Sequence, residues 1–256
     1  MSGKKLVAND SDVVYLYDGS LVGFYNCVYE SVYGREMPAG IYPESRAEPS
    51  FFREKCIEAD VNKAKKVRES ILKISKDTLD LVECVFLSCL EEKEMCLLRF
   101  LYLAYSEGKR VLAMLSHDHV APVVKAQRSL LHERHLLLGF IRFADYDGRL
   151  VAEISPKNFV LPTLFGHFIS RFPREEFMIY DKTHKCALIY ENKKKHIVEV
   201  SDFSLNELSA EEEKYQSLWK QFYKTIAIED RYNPKCRMTN MPKRYWENMT
   251  EMKEFL

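Results

Sequence analysis

The sequence predicts an α+β protein, with helices packed beside a mainly antiparallel sheet of about five strands over residues 138–200 and a β–α unit near the N-terminus. Three observations carry this. Apolar residues recur at helical spacing through residues 60–137. The pattern then changes to short alternating runs separated by polar turns. Near the start, an apolar run ending in Asp18-Gly19 leads into a capped helical pattern.

The stretch DVVYLYDGS reads as a strand from Val13 to Tyr17 closed by an Asp-Gly turn. Ser20 is placed to cap the helix of LVGFYNCVYESVYG. There Leu21, Phe24, Val28 and Val32 share a face and Gly34 can close it. REMPAGIYPESRAEPSFF holds three prolines and is expected to be an irregular connection with at most a short strand. No glycine-rich phosphate motif follows the first strand, so this unit is not a nucleotide fingerprint. ADVNKAKKVRESILKIS sets Val61, Ala64, Val67, Ile71 and Ile74 on one helical face. Ser75 caps the next helix, and KEMCLLRFLYLAYSEGK stops at Gly108. The helix of SHDHVAPVVKAQRSLLHERHLLLG has Pro122 near its start and Gly139 beyond its expected end.

From Leu138 the texture is β. LLGFIRFADYDGRLVAEISP gives two runs joined at Asp147-Gly148, a strong hairpin signal. A helical period between Pro162 and Phe172 interrupts the sheet, and EFMIYDKTHKCALIYENKKKHIVEV adds three strands. SAEEEKYQSLWKQFYKTIAI is a capped helix with acids in its first turn, where the helix dipole favours them.

A chain of 256 residues is enough for one large domain or two small ones. One domain over 1–256 is expected, with a β–α unit at 12–34, a helical part at 60–137, a sheet part at 138–200 and a C-terminal helix and signature at 210–254. A boundary near residue 80 or 138 is the alternative. The 38 basic residues balance 38 acidic ones, which excludes a general electrostatic coat for DNA but not a local basic patch. The polar start and the short apolar runs exclude a signal peptide and a spanning helix, so a soluble cytoplasmic protein without membrane contact is expected. The seven scattered cysteines form no C-x-x-C pair. They read as small buried hydrophobes rather than a disulfide framework or metal site, and no metal or cofactor is implied.

Lys125, Arg128, His132 and His135 share one helical face and could follow phosphates, although a solvated face is the plainer account. Glu133 is the lone acid nearby, on another side. His167 and Arg171 lie at i, i+4, and Asp181 ends the following strand. The three could form an anion pocket or an acid–base pair, or simply pin a helix to the sheet. His167, Asp181 and His135 are the candidate catalytic groups. No G-x-S-x-G, P-loop, G-x-G-x-x-G or radical-SAM C-x-x-x-C-x-x-C pattern occurs, so an enzyme reading has no motif to stand on.

The segment from Arg231 to Trp246 carries Arg231, Lys235, Arg237, Lys243 and Arg244 with no acid. Asn233-Pro234 and Met241-Pro242 force extended or turn backbone. Arginine beside Tyr245 and Trp246 suits stacking on bases and pairing with phosphates. The alternative is that the aromatics dock the tail on the sheet while the arginines bridge to acids. For Trp246 alone the buried role is favoured. Proteolysis-resistant order of this segment is expected on either account.

RYNPKCRMTNMPKRYWENMTE, with Arg231, Asn233, Pro234, Met241, Pro242, Arg244, Tyr245, Trp246 and Glu251, resembles the C-terminal signature of a biochemically uncharacterised bacterial family. Its members are provisionally assigned to DNA metabolism or DNA repair and accompany a DNA-repair radical-SAM protein. The segments with Glu133, His135, Gly139, Phe140, Arg142 and Phe143, and with His167, Phe168, Arg171, Ile179 and Asp181, are similar to that family's, as is the opening β–α unit. Leu136 and Leu138 stand where relatives often carry basic residues. Some members are fused to a uracil-DNA glycosylase domain, which this sequence to Leu256 is expected to lack.

The resemblance implies a DNA-repair accessory that binds nucleic acid or a damaged nucleotide alongside the radical-SAM partner. Arg142, Arg171, Arg231, Asn233, Arg244, Tyr245 and Trp246 are then the candidate phosphate and nucleic-acid contacts. The alternatives are an enzyme acting on nucleic acid through a His/Arg/Asp pocket, and a pure protein-interaction subunit. Convergence of the basic groups on one concavity would favour the first two.

Overall fold

The computed structural model describes residues 8–46, 51–201, 203–205 and 207–255. The polar start up to residue 7 and part of the proline-rich connection, residues 47–50, lie outside the described residues. The chain divides into two compact units, Met1–Leu130 and Leu131–Leu256.

In the first unit, β1 (Asn9–Asp10) is followed by β2 (Val13–Tyr17), which is buried at every residue. Helix α1 (Leu21–Gly34) starts at Ser20, whose hydroxyl accepts from the Gly23 amide. A Cβ at Gly23 would come within 2.1 Å of the Asp18 carboxylate, so a larger residue there would displace the Asp18 side chain. The helix ends at Arg35, in left-handed conformation with φ 53°. Then come β3 (Glu36–Met37), β4 (Gly40–Pro43) and β5 (Arg53–Cys56). Strand β2 lies between β4 and β5 and pairs with both in parallel, and β1 pairs with β3. The connection read as irregular with at most a short strand, residues 35–52, holds β3 and β4, and β5 follows directly after it. Residue types hid the two strands that flank β2, since β4 carries Pro43 and β5, Arg-Glu-Lys-Cys, has no apolar alternation.

Helices α2 (Val61–Ile74), α3 (Lys76–Phe86) and α4 (Lys93–Glu107) follow the predicted periods, except that Val61, at the start of α2, is exposed rather than on the buried face of Ala64, Val67 and Ile71. Ser75 caps α3 through the Thr78 amide, and Gly108 ends α4. Phe24, Ile71, Leu97, Leu98, Phe100 and Leu101 are completely buried in this unit's core, joined by Val123 and Ala126 from the start of α5 (Ala121–Phe140). Gly139 lies inside α5 rather than beyond it. It has negative φ, so the helix does not need the left-handed exit that glycine would supply.

The second unit begins within α5. Strands β6 (Ala144–Tyr146) and β7 (Arg149–Ile154) form the hairpin at Asp147-Gly148, and both turn residues have positive φ. Helix α6 (Leu161–Arg171) separates β7 from β8 (Phe177–Asp181), which is followed by β9 (Cys186–Glu191) and β10 (Lys194–Glu199). The sheet order is β10-β9-β8-β7-β6. All pairs are antiparallel except β7–β8, where the α6 crossover returns the chain in the same direction. The fold is thus α+β with a five-stranded, mainly antiparallel sheet. Strand β10 is exposed along its whole length, and Lys194 and Lys195 blunt the edge.

Helix α7 (Ala210–Thr225) is capped by Ser209, and α8 (Pro234–Asn240) by Asn233, whose side chain accepts from the Cys236 amide. A 3-10 turn, Lys243–Asn248, then packs on β7. Tyr245, Trp246, Met249, Glu251 and Met252 are all buried, so the end of the C-terminal signature is part of the second unit's interior, while residues 231–236 are exposed. Among the cysteines only Cys27 behaves as a buried hydrophobe, while Cys56, Cys89 and Cys236 are exposed. No helix among the described residues is long and apolar enough to cross a membrane.

Candidate functional site

Two buried carboxylates organise the second unit. Glu133 is 2 % exposed and sits on α5, on the side away from the exposed Lys125, Arg128, His132 and His135. It accepts from the Lys157 amide at 3.0 Å, the Asn158 amide at 2.8 Å and the Asn158 side chain at 2.6 Å. Tyr245 Oη at 2.9 Å and Arg244 Nη2 at 3.0 Å complete the set. Burial alone would raise this acid's pKa, but the donors from Asn158, Lys157 and Tyr245 outweigh it and hold the carboxyl below its usual range. The Tyr245 hydroxyl is pushed up to about 12, chiefly by burial and further by the adjacent Glu133.

Glu251 is the second. Arg142 reaches it through Nη2 at 2.6 Å and Nε at 3.2 Å, and Trp219 Nε1 donates to it at 2.9 Å. Its pKa is also lowered, because hydrogen bonds from Arg142 and Trp219 exceed the cost of burial. Arg142 Nη1 donates to the carbonyls of Gly139 and Ile141, so its guanidinium is anchored on both sides.

Beside this pair lies a cleft of about 660 Å³. Arg142, Phe143, His167, Arg171, Tyr215 and Trp219 are among its walls, with Glu212 and Thr250 adding polar edges. Helix α6 supplies His167 and Arg171, one turn apart. The His167 ring stands edge-on to Phe168, and the Arg171 guanidinium lies 5.6 Å from the Phe172 ring centre. Neither His167 nor Arg171 makes a hydrogen bond or ion pair to another described residue, whereas Arg142 is engaged by Glu251. The cleft thus offers an arginine, an imidazole and several aromatic faces, a combination that fits a planar, anionic ligand.

The predicted site residues separate. Arg142, His167 and Arg171 share the cleft. Asp181 is not among its lining residues. It is completely buried and accepts from the Thr183 and His184 amides and from His184 Nδ1 at 2.7 Å, closing the turn after β8. The imidazole beside it is therefore that of His184, and the expected His167–Asp181 contact is not among the hydrogen bonds of the described residues. The D-K-T-H spacing was the available signal, since a strand-ending Asp commonly takes amides two and three residues on. His135 is exposed on α5, Arg231 is exposed in the turn Glu229–Arg231, and Asn233 is a helix cap. Arg244 and Tyr245 hold Glu133. Trp246 is 3 % exposed and donates to the Met241 carbonyl at 2.9 Å, so its faces are not open to a base. Sequence reasoning missed Glu133, Glu251 and Trp219 as organising groups. Among the described residues no three His, Cys, Asp or Glu side chains gather to hold a metal ion.

A family model described as a domain of unknown function, DUF4130, matches residues 91–251. That span contains both buried carboxylates and every residue named above as lining the cleft. No curated protein and no solved structure matches the chain.

Proposed function

The chain belongs to the DUF4130 family of unknown function, and from that premise we propose that it binds nucleic acid or a damaged nucleotide as an accessory of DNA metabolism, with a radical-SAM protein as partner. The observation that carries the reading is the meeting of His167 and Arg171 with Phe143, Tyr215 and Trp219 in one cleft. A base would stack on the rings while Arg171 and His167 take its phosphate. Arg142, fixed by Glu251, shapes the wall rather than serving as a mobile cation. The partner assignment is supported by the motif resemblance. This sequence has no C-x-x-x-C-x-x-C triplet, so radical chemistry would belong to the partner.

The test uses intrinsic fluorescence. The chain has two tryptophans, and Trp219 is 40 % exposed in the cleft while Trp246 is buried. Mononucleotides are expected to quench Trp219, and Trp219→Phe should abolish the signal. Arg171→Ala should weaken binding about tenfold or more, as for a charged hydrogen bond to phosphate. Unchanged affinity in Arg171→Ala, or no quenching by any nucleotide, refutes the cleft as the site.

One feature favours the interaction-subunit reading as the second. Helix α7 buries none of its residues, and Leu218, Phe222 and Ile226 are about half exposed along one side. With the radical-SAM protein as occupant, Leu218→Glu with Phe222→Glu is expected to abolish co-elution of the two proteins while leaving nucleotide quenching intact. Co-elution that survives both changes removes this face from consideration.

A further inference from the structure

The five basic residues of the C-terminal segment do not share one role. Arg244 holds a buried carboxylate. The other four, Arg231, Lys235, Arg237 and Lys243, make no ion pair with another described residue. Arg237 is the most constrained of them. Its guanidinium carbon lies 4.7 Å from the Phe255 ring centre, 5.2 Å from that of Trp246 and 5.5 Å from that of Tyr232. Its Nε is buried and has no hydrogen-bond partner among the described residues. Lys243 Nζ stands 5.6 Å from the same Trp246 ring.

Two cations are thus held on one indole without an ion pair to another described residue. Their mutual repulsion costs energy, and the ring faces offset only part of it. A guanidinium fixed by aromatic faces keeps its planar fork oriented, which suits bidentate pairing with a phosphate. Trp246, buried and bonded through Nε1, acts as the platform for the cations rather than as a base-stacking ring. Tyr232, 66 % exposed, is the most open of the three rings around Arg237.

We propose that Arg237 and Lys243, which meet on the Trp246 ring, are the centre of a second anion site that takes successive phosphates of a nucleic-acid strand, with Arg231 and Lys235 near in the chain as further cations and Tyr232 beside Arg237 to stack on a base. This rests on the nucleic-acid reading given above but uses none of the cleft's residues. The ligand chemistry is the phosphodiester. A free phosphate offers the same oxygens from another source, and the test separates them.

Binding of a short single-stranded oligonucleotide to the full chain is measured against salt concentration. Two to four contacts predict a log–log slope of about −1.4 to −2.8, at roughly 0.7 per phosphate for single strands. Arg237→Gln and Lys243→Gln should each reduce the slope by about 0.7, and the double variant by about twice that. Arg244→Gln should leave the slope unchanged while lowering the melting temperature. Arg237→Lys, with circular dichroism to confirm folding, keeps the charge and should keep the slope. An unchanged slope in the double variant, or no oligonucleotide binding at low salt, overturns the proposal. So does inorganic phosphate that competes as well as the oligonucleotide at matched ionic strength, which would assign the site to a small anion. Mononucleotide quenching of Trp219 should be the same in the double variant and in wild type, so failure of the cleft and failure of this surface are read separately.

Discussion

Glu133→Ala is expected to unfold the second unit at much lower urea, with a loss of ~3–5 kcal/mol. The substitution leaves the amides of Lys157 and Asn158, the Asn158 side chain, the Tyr245 hydroxyl and the Arg244 guanidinium without their common acceptor. Unmatched buried donors are what make such a change costly. Both tryptophans lie in the second unit, so their fluorescence reports its unfolding. A loss under about 1 kcal/mol would contradict the assigned network. The same carboxylate gives an acid dependence, with Glu251 alongside it. Both have folded pKa values below their ordinary range, so each binds its proton more weakly folded than unfolded. Their stabilisation is complete above the unfolded value, about 4.3, and is lost as pH falls through it toward the folded value. Urea midpoints measured from neutral pH downward should fall in that window, and Glu133→Gln should make the fall shallower.

Trp246→Ala should cost ~3–5 kcal/mol of stability in the second unit. The ring is 3 % exposed, bonded to the Met241 carbonyl and packed edge-on against Phe255. Its removal leaves a cavity and takes away the platform under Arg237 and Lys243. Trp246→Phe keeps most of the apolar volume and is expected to lose less. If instead the alanine variant melts like wild type but binds oligonucleotide more weakly, the ring is a base-stacking contact and its buried role is wrong. Thermal melts and oligonucleotide titration on one preparation decide between these.

What could be read from the sequence was local. Ser20, Ser75 and Ser209 cap helices because their hydroxyls need only an amide three residues on. The Asp147-Gly148 hairpin is likewise set by two residues with positive φ. The parallel strands β4 and β5 were not legible, since their pairing with β2 is made by residues distant in the chain and their own composition is polar or proline-bearing. In the site, the residue types were visible but not their partners. The sequence displays a run of arginines and lysines near the end and a lone Glu133 on a basic helix. It does not display that Arg244 and Glu133, separated by 111 positions, belong together. A lone acid with cations elsewhere is a weak signal, because surface carboxylates look the same until burial is known. Of the cleft residues, His167 and Arg171 were visible as an i, i+4 pair and Arg142 through motif resemblance, whereas Asp181 went to its own turn because amides two and three residues away reach it without any closure of the chain.

The long separation of the two carboxylates from their arginines has a consequence during synthesis. At ~5–20 residues per second, roughly 5–20 s pass between the emergence of Glu133 and that of Arg244. Arg142 waits about as long for Glu251, 109 positions later. Over that interval the helix end and the growing sheet can pair locally, but the charged groups stay hydrated on a nascent chain still attached to the ribosome. The second unit therefore completes its two charged networks only once Arg244 and Glu251 have emerged.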